Sequence, residues 1–263
     1  MKTDLIKICQ KYNISNYKIN NDGSIDVNGT VDIAGTDLTS LPFRFNRVTG
    51  DFLLNNNSKL TSLEGCPHEV GGNFFCTFNN LTSLKHCPKN VAYEFVCSYN
   101  NLTSLKYSPL KVNHFDCSQN DLTSLENCPF IDGDFYCSHN RLTSLNGIQD
   151  KIYGVFDCSS NLLTSLDKCP VEILDYFNCS NNFLTSLEHC PDKILGYFAC
   201  RNNKITTLNY FPKEMPSYCC FTNNRISLNE IINSIYYNKL DLEETFGFTK
   251  EEIRIAIIES ITN

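Results

Sequence analysis

The chain holds fifteen cysteines in 263 residues, enough thiols for a metal centre, a nucleophile or a set of disulfides, so their spacing has to decide among these. Seven of them, Cys76, Cys97, Cys117, Cys137, Cys158, Cys179 and Cys200, each precede an asparagine by three residues. Five more, Cys66, Cys87, Cys128, Cys169 and Cys190, are each followed by proline, and Cys9, Cys219 and Cys220 stand outside both rows. Metal ligands converge on a point, with cysteine pairs usually two to four residues apart. Here neighbours within a row are about a whole repeat apart, and only Cys219 and Cys220 are close, so no metal or cofactor is expected. Stacked strands about 4.8 Å apart could still bring successive thiols together, which leaves adventitious soft-metal binding or strained disulfides as the alternative. A nucleophilic cysteine needs a base beside it. His86-Cys87 and His189-Cys190 come nearest, but Gly65, Asn127 or Lys168 fills the histidine position in other copies, which reads as variable surface. No catalytic residue is expected. The odd cysteine total, with no secretory h-region after Met1-Lys2-Thr3-Asp4, favours free thiols packed as small buried hydrophobes.

The element that must position these rows is a short tandem repeat. Leu-Thr-Ser-Leu begins at Leu38, Leu60, Leu81, Leu102, Leu122, Leu142, Leu163 and Leu184 and returns degraded as Ile205-Thr206-Thr207-Leu208 and Ile226-Ser227-Leu228. A period held within 20 to 22 residues means one supersecondary unit stacked into a solenoid. In the unit from Gly72 to Val91, alternation puts Phe74 and Cys76 on one strand face and Asn73, Phe75 and Thr77 on the other. The buried face then continues as Phe95/Cys97, Phe115/Cys117, Phe135/Cys137, Phe156/Cys158, Phe177/Cys179 and Phe198/Cys200. A structural asparagine ladder follows, made of Asn79, Asn100, Asn120, Asn140, Asn161, Asn182, Asn203 and Asn224. An amide that both donates and accepts can satisfy backbone groups turned inward where the chain leaves the strand. Proline after cysteine discourages a helix, so the return path past Val91 is expected to be irregular or 3-10.

Phe74, Cys76, Asn79 and Leu81 match an L-x-L-x-x-N-x-L core with phenylalanine and cysteine for two leucines. From about Val31 to Leu228 the chain resembles the leucine-rich repeat superfamily. Its dialect, Phe-x-Cys-Ser-x-Asn-x-Leu-Thr-Ser-Leu-x-x-Cys-Pro, is similar to the multi-copy repeat proteins of giant amoeba-infecting DNA viruses of the mimivirus kind and of some phages. The resemblance implies an α/β repeat solenoid of nine to ten coils with a concave parallel β-sheet and a protein-binding role.

Three segments follow: residues 1–30 as an N-terminal cap, 31–228 as the repeats, and 229–263 as a C-terminal helical cap. In the first, Leu5, Ile6, Ile8 and Cys9 suit a short amphipathic helix, and Asp22-Gly23 suits a turn between Ile19 and Ile25. In the last, Ser227-Leu228-Asn229-Glu230 and Thr249-Lys250-Glu251-Glu252 read as capping boxes, the first leading into Ile231, Ile232, Ile235 and Tyr236, the second into Ile253, Ile257 and Ile258. Residues 241–248 read as a linker.

The outward strand residues vary from coil to coil where the inward ones do not. Phe75, Glu94, Tyr99, Asp116, Asp134, Tyr136, Tyr176 and Tyr197 are the candidate binding residues, since aromatic rings anchor interfaces and carboxylates favour a basic partner. For any one ring the plain alternative is that it only covers the sheet. A formal charge of -7, with 22 basic and 29 acidic residues and no basic cluster, argues against nucleic acid. The apolar runs are too short to cross a membrane. The expectation is a non-enzymatic module inside the cell, cytoplasmic and in the host if the gene is viral. It would act as a monomer that binds a protein or peptide. The second reading is a substrate adaptor for ubiquitin-ligase-type machinery, with the terminal helices as the docking element.

Overall fold

The computed structural model describes residues 2–262. It is a solenoid of stacked parallel β-strands, of about 9 turns, and it divides into two compact units, Met1–Asn140 and Arg141–Asn263. The division falls within the repeats, after one ladder asparagine. Among the described residues no helix is long and apolar enough to cross a membrane.

Each coil contributes two short strands. In the first unit the strands Val31–Asp32, Phe52–Leu53, Phe74–Phe75, Glu94–Val96, His114–Asp116 and Phe135–Tyr136 pair in parallel and in register. In the second unit Phe156–Asp157, Phe177–Asn178, Tyr197–Ala199 and Tyr218–Cys220 do the same. Because every strand has the same register, each phenylalanine sits on the next. Ring centroids are 5.9 Å apart for Phe52 and Phe74, 5.8 Å for Phe115 and Phe135, and 5.6 Å for Phe156 and Phe177. All of these rings are fully buried, each burial being worth about 2 kcal/mol. The small cysteine two residues on is buried beside each ring from Cys76 to Cys200.

The second strand of the coil corrects the expectation of an irregular or 3-10 return. The path after the ladder asparagine is irregular as far as the Cys-Pro dipeptide. Beyond it the chain is extended and builds a second parallel sheet. In the first unit this sheet contains Phe45–Val48, Glu69–Val70 and Asn90–Val91, with a separate pair Lys111–Val112 and Phe130–Ile131. In the second unit it contains Lys151–Ile152, Glu172–Ile173 and Lys193–Ile194. Proline holds its predecessor extended, and the following N–H groups reach the coil before, as Ala92 N–H does to Val70 O at 3.1 Å. A stacked coil offers those carbonyls at strand spacing, so pairing prevails over a local 3-10 turn. Within the described residues the 3-10 helix, Tyr237–Lys239, lies outside the repeats, as do all α-helices.

Before the first coil, helix Lys2–Lys11 buries Leu5 and Cys9. A hairpin of Tyr17–Ile19 with Ile25–Val27 extends the second sheet. Its turn uses Gly23 at φ +80 and the Asp22 carboxylate, which accepts from Ser24 N–H at 3.0 Å and Ser24 Oγ at 2.7 Å.

After the last coil come helices Leu228–Ile232, Leu242–Phe246 and Lys250–Thr262. Ser227 Oγ accepts from Glu230 N–H at 3.2 Å, but the Glu230 carboxylate turns to Thr207 Oγ1 at 2.7 Å and does not reach back to its own cap. Thr249 and Glu252 close both halves of the second capping box. The side chain of Ile258, assigned above to this helix, lies outside the described residues. Residues 241–248 are not a plain linker. Asp241 Oδ1 caps Glu244 N–H at 2.9 Å, and Gly247 ends the helix at φ +81. An aspartate three before a glutamate, with a glycine just past the end, is the signal that would have found this helix. Phe246 lies 6.0 Å from Phe221, and Phe221 N–H donates to Thr245 O at 2.6 Å, so this helix packs on the final coil.

Candidate functional site

The asparagine ladder is a stack of amide bridges. The Nδ2 of Asn100 donates to Cys97 O of its own coil at 3.1 Å and to Cys76 O of the coil before at 2.9 Å, while its Oδ1 accepts Leu81 N–H at 3.0 Å. Asn79, Asn120, Asn140, Asn182 and Asn203 likewise donate to their own coil and to the previous one. Asn161 Nδ2 donates to Cys158 O at 3.0 Å, and Asn224 Nδ2 donates to Cys200 O at 2.8 Å. One member was missing from the sequence list. Asn57, fully buried, accepts Leu38 N–H and donates to Ile33 O. One extra residue separates it from Leu60, which accounts for the repeat spacing of 22 there.

The thiols of the asparagine row are buried, as are Cys66 and Cys87 of the proline row, while Cys128, Cys169 and Cys190 are half-buried. Burial pushes Cys76, Cys97, Cys117, Cys158 and Cys179 well above their ordinary value of 9.0, with neighbouring thiols adding to the rise. Cys137 is buried in the same row. In the proline row burial raises Cys87 to about 12, and Lys89 opposes the rise. Its Sγ donates to Tyr107 O at 3.1 Å, while His86 is exposed. His86 and His189 occupy a turn position at φ +70 and +65 that Gly65 and Gly147 fill elsewhere. Backbone conformation is what repeats there, and side-chain identity is free.

Cys219 and Cys220 find their place in the final coil. Cys219 is in register with Phe198, and Cys220 with Ala199. Phe221 then fills the cysteine position, meeting Phe198 edge to face at 5.1 Å. Ring and thiol have exchanged places at nearly constant volume, so the layer stays packed.

The outward side of the first sheet, the concave surface of the sequence reading, is where the eight candidate residues lie. In the first unit Phe75, Val96, Asp116 and Tyr136 form one in-register row. Glu94 and His114 align in the row beside it, where His114 Nδ1 accepts Asp134 N–H at 3.0 Å. Tyr99 stands at the turn after its strand, its ring stacked 4.1 Å from Phe78. Asp116 Oδ1 accepts Ser118 N–H at 2.9 Å. All are half-buried except Tyr99, which is exposed.

In the second unit Tyr176 and Tyr197 have ring centroids 5.0 Å apart, and Tyr218, not singled out from sequence, extends the stack at 4.9 Å from Tyr197. Burial, with Asp157 next, raises the Tyr176 hydroxyl to about 12. Burial and the Cys220 thiol raise Tyr197. A hydrogen bond to Glu244 is the main cause that takes Tyr218 to about 12. Arg201 opposes the shift at the first two tyrosines. Their faces cover one another, and the Tyr197 and Tyr218 hydroxyls are engaged by Cys220 and Glu244 respectively. The degraded Leu-Thr-Ser-Leu of the last coil concealed Tyr218.

No family model matches the chain, and no curated protein sequence is significantly similar to it.

Proposed function

We propose that the protein is a non-enzymatic binding module, a solenoid of the leucine-rich-repeat type that receives a protein or peptide on the outward face of its first sheet. The observation that carries this reading is the contrast across one strand. Inward positions hold phenylalanine and cysteine coil after coil, whereas in-register outward positions change from Phe75 to Val96, Asp116 and Tyr136. Packing dictates the first set and leaves the second free to match a ligand. Enclosed thiols raised by burial support this over an enzyme, since a nucleophilic cysteine needs the opposite shift.

The repeat dialect supports kinship with the viral repeat proteins and a monomer acting inside the cell. In this reading the N-terminal helix and hairpin and the C-terminal helices close the ends of the stack. The adaptor alternative draws on exposed apolar side chains near those helices, Tyr210 and Ile235 among them, which suit a docking element.

A pull-down from cell lysate tests the module. Tyr136→Ala with Tyr176→Ala should abolish partner capture while the thermal midpoint moves little, and undiminished capture by that variant defeats the proposal. Deletion of residues 251–263 separates the roles of the last helix: unfolded repeats mean closure, and folded repeats that lose a partner mean docking.

A further inference from the structure

We infer that the outward face of the first sheet in residues 1–140 takes a lysine- or arginine-rich peptide segment with interspersed apolar side chains. The inference rests on the proposed function and specifies the partner for one unit.

Three rows crossing the strands carry it. The middle row is apolar and half-buried at Leu53, Phe75 and Val96, between Asp32 at one end and Asp116 and Tyr136 at the other, all in register. In the row two residues earlier, on the same face, Asp51, Glu94 and Asp134 supply carboxylates, and no hydrogen bond or ion pair engages the Glu94 carboxylate among the described residues. No lysine or arginine occupies an outward position of this sheet in this unit. Cations of the unit instead pair on the second sheet, Arg47 with Glu69 at 3.1 Å and Lys111 with Asp132 at 2.6 Å. The field over the first sheet is therefore negative, with His114 Nδ1 3.1 Å from the Asp134 carboxylate, and it recruits cationic groups while repelling phosphates.

The third row lies at the turns. Phe78 and Tyr99 stack at 17° between ring planes and remain 50% and 46% exposed. Both sit at φ +54, a left-handed conformation that bulky side chains resist. The equivalent turns elsewhere use Asn56, Asn181, Asn202 and Asn223, for which that conformation is easier, or Asp37, Gln119, His139 and Ser160. Folding does not require rings at these two turns. Exposed rings at the end of a sheet that carries carboxylates suit the apolar stem and charged head of lysine or arginine, through apolar contact and cation–π attraction. A free polyamine or metal ion would use the carboxylates but leave the apolar row and the rings unused.

The test is fluorescence polarisation with the full chain and two short labelled peptides, one of repeating Lys-Val-Lys-Gly units and one with glutamate for lysine. The lysine peptide should bind at least about tenfold more tightly, with affinity falling as salt rises. E94Q with D134N should weaken it by about tenfold and flatten the salt dependence. F78N with Y99N should weaken it by several-fold, on the order of one cation–π contact, and keep the salt dependence. Circular dichroism verifies folding, and E94Q alone replaces the double variant if that one unfolds. Equal binding of the two peptides, or unchanged binding by E94Q with D134N at low salt, overturns the inference. If either occurs while lysate capture still depends on Tyr136 and Tyr176, the binding-module reading stands, and loss of both removes it too.

Discussion

Between Asp32 and Tyr136 the outward face of the first sheet carries five carboxylates and no cation, whereas between Asp157 and Cys220 it carries Asp157, Arg201 at the strand end and three stacked tyrosines. Beneath these two surfaces the cores are nearly the same, phenylalanine on phenylalanine with a thiol beside each ring. The difference shows where the constraint lies. An inward side chain must fit the coil above and below in a close-packed layer. An outward one answers only to solvent and to whatever binds.

The comparison predicts that perturbing the core affects both units alike. The largest effect is alkaline. Cys87 in the first unit and Cys219 in the second both rise from 9.0 to about 12, chiefly through burial. A folded value above the unfolded one gives stability that is fully present below pH 9 and lost as pH rises through about 12. The loss is about 4 kcal/mol for Cys87 alone, and other enclosed thiols add to it. Urea unfolding followed by circular dichroism under reducing conditions at stepped pH should show the decline, and a flat profile would mean that the thiols are open to water.

Phe115→Ala and Phe177→Ala should each cost about 4 kcal/mol through the cavity left in the stack. A large inequality in their denaturation midpoints would break the claim of a common core. Asn100→Ala and Asn182→Ala should cost somewhat less, about 3 kcal/mol, because buried carbonyls and an N–H lose their partner. Amide hydrogen exchange at Leu81 and Leu163, whose N–H groups donate to Asn100 and Asn182 respectively, should accelerate in the matching variant only. The smallest effect separates the units at their surfaces. Asn202→Phe places a bulky residue at φ +55 and removes the side-chain hydrogen bonds to Asn181 and Asn223. It should cost about 1 to 2 kcal/mol, while Phe78→Asn relieves the same strain and should cost little. If both changes destabilise equally, the rings at Phe78 and Tyr99 are structural after all.

Much of this was legible in the residues themselves. Alternation of Phe74 with Cys76 named the buried face, and the amide chemistry of asparagine fitted the turn where backbone groups point inward. Local signals failed where a partner coil decides the outcome. The strand at Asn90–Val91 follows a proline and spans two residues, too few for a period. Its extended state depends on the carbonyls of Glu69–Val70 in the coil before. Tyr218 and Phe221 were obscured because their coil departs from the repeat wording while keeping its register. The helix at Leu242–Phe246 had its cap and stop written plainly, but its shortness made it look like a linker.

The sequence alone determined the period and the pairing of a large and a small inward residue, because each repeats at a fixed spacing. The tertiary structure decided which outward residues meet. Rings at Tyr176, Tyr197 and Tyr218 stack, Phe78 turns onto Tyr99, and His114 takes the Asp134 amide proton as its partner. Those pairs are about twenty residues apart in the chain and become neighbours only when parallel coils stack in register, so the surface chemistry is a property of the stack and not of any one repeat.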